Sequence, residues 1–317
     1  MLEKEKTKKK GKKMKKNEIP IFFAVDDKYI PFLSVTIQSL IDNITSDCKY
    51  ILKILYTKIE KENMVKIKKY ESENIEVEFV DLSEYIKEIN DKLYTRDYYS
   101  KTTYFRLFLP ELYPQYDKVI YLDSDVVLLE DVAHLYNVDM GDNLLAAAPD
   151  AIIQTIEVFR KYSEAVVKVK SYKDYFNAGV LVMNLKELRK FKFQEKFIDA
   201  LSKIKYSVAQ DQDYLNSICM GRVKKIEYGW NVMPVTDAQI EEKDIKLIHY
   251  NLAYKPWHFE NILYDKYFWK YAEKTEFFET IQKIKDNYTE EEKEEDLAKD
   301  RGLRELAQRE TDSAKGN

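Results

Sequence analysis

Chemistry is most readily placed in the stretch 118–130, KVIYLDSDVVLLE, where Asp123 and Asp125 interrupt two apolar runs. The runs VIYL and VVLL have the short, β-branched and aromatic character of buried parallel strands. A carboxylate buried without a partner costs several kcal/mol. Aspartates placed here therefore meet a cation or stand at a strand's C-terminal end, where open α/β sheets bind ligands. On an extended chain, positions two apart face the same side, which lets both carboxylates approach one divalent ion. Taken alone, so short a pattern is more often a polar turn between strands, and the rest of the chain has to decide.

Other places carry groups able to act beside such an ion. A helix starting in AQDQDYLNSICM, residues 209–220, has Asp211, Gln212 and Asp213 in its first turn. Capping and dipole compensation, each worth about 0.3–1 kcal/mol, explain one acid there but not the whole set. Arg106 is the one cation of the apolar helical patch TYFRLFL, 103–109, which Pro110 closes. It either snorkels to solvent or pairs with an anion. His249 ends a strand at 246–250, with Lys255 close behind. A histidine so placed is more often structural than a ligand, but its strand context matches that of the two aspartates. Asp26 and Asp27 likewise end the strand IPIFFAV, 19–25.

The pattern of apolar residues supplies the frame these groups need. After IPIFFAV, residues Leu33, Ile37, Leu40, Ile41 and Ile44 recur at helical spacing, followed by a strand at 50–56, a helix at 60–70 and a strand at 75–80. Further strands are expected at 144–148 and within YFNAGVLVMN, 175–184, with a helix from 152 to about 169 between them. Alternating strands and helices favour a parallel, doubly wound α/β sheet. Asn177, Ala178 and Gly179 are small where a strand begins, so backbone or ligand can come close.

From 263 to 284 aromatic and basic residues interleave, with Tyr264, Phe268 and Tyr271 along one face. A helix docked on the domain is the first reading and a membrane-surface helix the second. Residues 289–317 are strongly charged with few large apolar side chains and read as a frayed helix or a disordered tail. The expected division is a basic disordered arm, 1–17, a main domain, 18–258, a helical segment, 259–288, and a charged tail, 289–317.

With 317 residues and 45% hydrophobic content the chain can bury a large core. Its 25 tyrosines and 15 phenylalanines suggest an aromatic core and surfaces able to stack on sugar rings. A net charge of −4 gives no global argument for nucleic acid. Residues 1–17 hold nine lysines and no apolar h-region, so they are neither a secretory signal nor a membrane span. Such an arm can rest on anionic lipid. Cys48 and Cys219 are too few and too far apart for a disulfide framework or a zinc site, which fits a reducing compartment. The location expected is the cytoplasm, with the arm offering a peripheral hold on the inner face of the membrane.

Taken in order, FFAVDDKYIPFLSVTIQSL, TYFRL, YLDSDVVLLEDV, FNAGVLVMNL, DQDYLN and HYNLAYKPW resemble glycosyltransferase family 8, which includes bacterial lipopolysaccharide galactosyl- and glucosyltransferases and glycogenin. The resemblance spans roughly residues 19–258, and so many blocks in the right order reverse the weight against Asp-x-Asp. It implies a GT-A fold, a nucleotide-sugar-binding α/β domain. The activity implied is retaining transfer of galactose or glucose from a UDP-sugar to a saccharide, glycoprotein or glycolipid acceptor, aided by Mn2+ or Mg2+.

Carried over residue by residue, the resemblance makes Asp123, Asp125 and His249 the metal ligands. Ala24, Val25, Asp26 and Tyr29 fall beside the uridine, Arg106 near the donor phosphate and sugar, and Ser124 among the other donor-binding residues. Asn177 and Ala178 line the sugar, Asp211 holds its hydroxyls and Lys255 meets the diphosphate. Gln212 lies close to the anomeric carbon, with Asp213 beside it. Either the Gln212 carbonyl shields an oxocarbenium-like centre during same-face attack, or Asp213 forms a covalent intermediate. Two residues depart from the family pattern. Lys28 replaces an asparagine, which bears on a ribose or base contact. Leu252 replaces a glycine three residues after the metal histidine, which bears on how closely that loop approaches the phosphates. Two rivals are a noncatalytic nucleotide-sugar-binding protein with a decayed site, against which the intact site residues count, and a nucleotidyltransferase, which would more often show a glycine-rich phosphate loop.

Overall fold

The apolar runs become nine strands among the residues described in the computed structural model, which are 18–87 and 101–316. They are β1 (Glu18–Ala24), β2 (Lys49–Tyr56), β3 (Ile75–Asp81), β4 (Lys118–Leu122), β5 (Val126–Leu128), β6 (Leu145–Pro149), β7 (Phe176–Asn184), β8 (Val223–Lys225) and β9 (Leu247–His249). Seven form one sheet in the order β3-β2-β1-β4-β7-β6-β8. It is mostly parallel, with β7 antiparallel to both β4 and β6.

Strand alternation divides the core into two apolar layers. Ile21, Phe23, Ile120 and Leu122 face the layer that holds the helix Ile30–Asp42, whereas Phe22, Val119 and Tyr121 face the layer of Tyr104, Phe105, Phe193 and Phe197. Burial on both faces explains why these strands read as continuous apolar runs. Each fully buried large side chain contributes about 1.5–3 kcal/mol.

Register then brings distant residues to one end of the sheet. β1 runs beside β4 with Phe22 opposite Tyr121, which carries Ala24 to the level of Asp123. β7 returns along β4 with Val180 opposite Leu122, and Asp123 N donates to Gly179 O at 2.8 Å.

Several elements differ from the sequence expectation. The run after Asp125 is not a parallel strand of the main sheet. It is β5, paired antiparallel with β9 in a separate two-stranded sheet, Val126 opposite His249. Hydroxyl and amide groups of the first helix satisfy its backbone: Thr36 Oγ1 donates to Val126 O at 2.7 Å, Leu128 N to Ser39 Oγ at 2.9 Å and Asn43 Nδ2 to Leu128 O at 3.0 Å. The patch around Arg106 is a 3-10 helix, Lys101–Phe108, and Pro110 opens the next helix, Leu109–Leu112, instead of closing one. Proline suits a first turn because the N–H it lacks is unpaired there anyway. The helix expected from 152 is two helices, Ala151–Thr155 and Glu157–Ala165, parted by an extended Ile156.

The aromatic segment is also two helices, Asp265–Ala272 and Phe278–Asn287, with Tyr264, Phe268 and Tyr271 buried on the domain. The largest correction concerns residues 289–317. In place of a frayed or disordered tail there is a helix of 26 residues, Glu290–Lys315, opened by a capping box between Thr289 and Glu292. Leu303, Leu306, Ala307 and Thr311 make a narrow buried stripe on it, and it packs along Glu157–Ala165. Near its start Tyr288 stacks on His258 with ring centroids 3.8 Å apart and donates to Asp296. The basic arm lies outside the described residues.

Candidate active site

At the C-terminal ends of β1 and β4 the chain leaves a cleft lined by Asp26, Arg106, Asp123, Asp125, Gln212 and His249, among others. The two Asp-x-Asp carboxylates are each held by one oxygen. Asp123 Oδ1 accepts from Arg106 Nη2 at 2.9 Å and from Tyr121 Oη at 3.0 Å. Asp125 Oδ2 accepts from the buried Lys255 ammonium, which also donates to Tyr250 O. The other oxygens turn toward His249: its Nε2 lies 3.3 Å from Asp125 Oδ1 and 3.7 Å from Asp123 Oδ2. Asp125 Oδ1 is buried without a hydrogen-bond partner.

The tautomer of His249 follows from a chain of contacts anchored on a backbone donor. Gly179 N donates to Asn177 Oδ1 at 2.8 Å, which fixes that oxygen as the acceptor for Asn231 Nδ2 at 3.0 Å. Asn231 therefore presents its oxygen to His249 Nδ1, 3.0 Å away, and Nδ1 carries the proton. In the neutral ring Nε2 is left as a lone pair facing two carboxylate oxygens. Three groups that can each give one ligand atom, within 4.8 Å of one another, suit a divalent cation. Burial alone would raise the Asp125 pKa, yet the Lys255 ammonium beside it holds the carboxyl below the usual range. Gly179 has no alternative here, since a Cβ on it would lie 2.3 Å from His249 Cε1 and 2.6 Å from Asp123 Oδ2.

A second anchored contact orients Gln212. Ala178 N donates to its Oε1 at 2.9 Å, so Nε2 faces Asp150 Oδ2 at 3.1 Å and Tyr175 Oη at 3.3 Å. Asp150 was not singled out in the sequence, where an acid before a helix reads as a cap. It is one, accepting from Ile153 N at 3.0 Å, but its other oxygen also receives Asn177 Nδ2. Asn231 had no sequence signal at all.

The remaining candidates divide. Asp211 is buried at the cleft with Arg106 Nε 3.0 Å from its Oδ2, so that one guanidinium bridges Asp211 and Asp123. Burial pushes its pKa up to about 6, against the pull of Arg106. Asp213 does not line the cleft. It is fully buried and accepts from Tyr162 at 2.8 Å, Tyr175 at 2.6 Å and Ala209 N at 2.9 Å. Burial raises it to about 7. Ala24, Val25, Asp26, Tyr29, Ser124, Asn177, Ala178 and Lys255 all line the cleft, and Asp26 Oδ1 is buried without a hydrogen-bond partner.

Both departures have a structural answer. Lys28 is exposed and lies outside the cleft lining. Leu252 keeps the backbone a glycine would adopt, with φ at +56°, and lines the cleft.

Comparison with known proteins gives the family and the fold. The model of glycosyl transferase family 8 matches residues 20–261. A Haemophilus influenzae protein named as a glycosyltransferase is 32% identical over 250 residues, which cover 75% of this chain and 72% of that protein. The apo structure of the bifunctional glycosyltransferase WbbM superposes with a TM-score of 0.74 at 25% identity, covering 85% of this chain and 52% of the other, so the chain spans about half its length. Galactosyltransferase LgtC, solved with donor and acceptor sugar analogs, gives a TM-score of 0.68 at 26% identity, covering 81% of this chain and 96% of that one. The architecture is GT-A, and the chain belongs to glycosyl transferase family 8.

Proposed function

We propose that the protein is a retaining, metal-dependent hexosyltransferase that moves galactose or glucose from a UDP-sugar to a saccharide or glycoconjugate acceptor. The observation that carries this reading is the meeting of Asp123, Asp125 and the His249 lone pair at the end of β4. Mn2+ or Mg2+ held there supplies positive charge against the negative charge that grows on a departing UDP. The other steps belong to the chain. Asp26 Oδ1 accepts from the base, in a place where a buried acceptor is otherwise unpaired. Lys255 turns from Asp125 to the diphosphate, and Arg106 bridges Asp123 and Asp211. Asp211, Asn177 and Ala178 take the donor sugar. Gln212 keeps one carbonyl lone pair beyond its bond from Ala178 and turns it to the anomeric carbon during same-face attack. That Asp213 is fully engaged away from the cleft counts against a covalent intermediate on it.

The location proposed is the inner face of the cytoplasmic membrane, held by the basic arm. No helix among the described residues is long and apolar enough to cross a membrane. The test is release of UDP from a panel of UDP-sugars. Release from UDP-galactose or UDP-glucose that stops with chelator and returns with Mn2+ is expected. Release indifferent to chelator contradicts the metal, and no release from any UDP-sugar contradicts the donor.

A further inference from the structure

The cleft is lined by apolar as well as polar groups. Beyond Gln212, on the side away from the carboxylate pair, it is walled by Ile153, Phe159, Val208 and Leu303. These four belong to one apolar cluster. Leu303 comes from the C-terminal helix, which begins beyond the segment 20–261 shared with the family. That helix runs from Asp296, beside His258 and close behind Lys255, to Ala307 and Thr311 on the helix Glu157–Ala165. It therefore passes along the cleft from the neighbourhood of Lys255 to the apolar wall. The floor next to this wall is polar: Gln212 and the Asp150 carboxylate, whose two oxygens have lone-pair capacity beyond the three donors they meet.

A hexopyranose ring has this same division, with hydroxyls around its edge and a flat patch of C–H groups on one face. We propose, resting on the glycosyl-transfer reading, that the C-terminal helix completes the acceptor subsite. The ring C–H face of an acceptor hexopyranoside lies on Leu303, Phe159 and Val208 while its hydroxyls reach Asp150. The continuity of this wall with Gln212 carries the assignment, because an acceptor hydroxyl has to arrive where the donor carbon sits. The donor ring takes the opposite side, over Arg106, Asn177 and Asp211. Acceptor preference is then set partly by a helix outside the family segment, at one leucine.

Saturation-transfer NMR tests this with methyl β-galactopyranoside and methyl β-glucopyranoside as probes, on the full chain with UDP and Mn2+. Ring C–H signals are expected with at least one probe. They should fall about tenfold in Leu303→Ser, a loss in line with removing most of one apolar contact, and persist in Leu303→Met. Because Leu303 also packs in the core, a second measurement uses the unaltered protein with labelled leucine methyls, where transfer from the Leu303 methyls to probe ring protons is expected. Protein that releases UDP from a UDP-sugar but shows no ring signal with either probe overturns the subsite alone. So does ring contact that bypasses the Leu303 methyls. Protein that neither binds UDP nor releases it overturns the function on which the subsite rests.

Discussion

Asp123 and Asp125 are written in the sequence just as Asp211 and Asp213 are, two acids with one residue between, and the two pairs do opposite things. The first pair flanks Ser124 in the turn that joins β4 to β5. The turn brings both carboxylates to one place, where each gives one oxygen to a fixed cation and turns the other to His249. The second pair opens a helix, where positions two apart point about 200° away from each other. Asp211 reaches Arg106 at the cleft, and Asp213 points behind it to two tyrosines. The backbone beneath the motif thus decides whether two carboxylates can hold one ion. Residues remote in sequence decide what a carboxylate turned the other way does.

The largest expected effect comes from breaking the first pair. Asp125→Ala and His249→Ala should each lower metal-stimulated UDP release by about 10³-fold or more while the melting temperature stays near that of the parent, since several kcal/mol of charge stabilisation are lost at the ion and little at the core. Turnover kept in either variant would contradict the ligand set.

Asp211→Asn should cost less, about 10²-fold in kcat, because it loosens Arg106 and the donor sugar without removing a ligand. Its pH profile is the sharper readout. Asp211 has a pKa of about 6, so its protonation below that pH releases Arg106, and activity should fall on the acid side with an apparent pKa near 6. The Asn variant should lack that limb. A third change tests the lone pair itself: Asn231→Leu removes the acceptor for His249 Nδ1–H and should weaken Mn2+ binding about 10- to 100-fold, read by titration of the free ion's EPR signal.

The smallest effect on turnover is expected from Asp213→Asn, less than tenfold in kcat, because that side chain meets Tyr162, Tyr175 and backbone, not the cleft. Its signature is in stability. Burial raises Asp213 from the usual carboxylate value to about 7, so between about pH 4 and 7 the folded protein binds a proton that the unfolded chain does not. This group's contribution is therefore most favourable at the acid end of that window and is lost as pH rises toward 7. The Asn variant should show a flatter dependence of melting temperature on pH over this window. An unchanged slope would assign it to another group.

How much of this the sequence discloses depends on whether the signal is local. The first pair shows because two carboxylates break a run that otherwise has only apolar side chains. The strands β1 to β4 show for the same reason, and so does the approach to Gly179. The different fates of Asp211 and Asp213 do not show, since they depend on helix phase and on Tyr162 and Tyr175 from other elements. Asp150 hides behind its capping role, and Asn231 sits in a short 3-10 turn with no pattern around it. β5 could not be placed, because it pairs with the distant β9 and its remaining backbone groups meet side chains of Thr36, Ser39 and Asn43 on a helix whose apolar face alone was legible. The C-terminal helix was lost by averaging. Its composition is that of a solvated tail, yet Leu303, Leu306, Ala307 and Thr311 fall on one stripe, which is enough to dock it.

The most direct test of the account is an anomalous-diffraction map of crystals grown with Mn2+ and UDP. One strong peak should lie about 2.0–2.3 Å from Asp123, Asp125 and His249 Nε2, the range for oxygen and imidazole ligands on such ions. A peak at Asp211 or Asp213, or ordered UDP with no metal beside His249, would contradict the division between the two pairs.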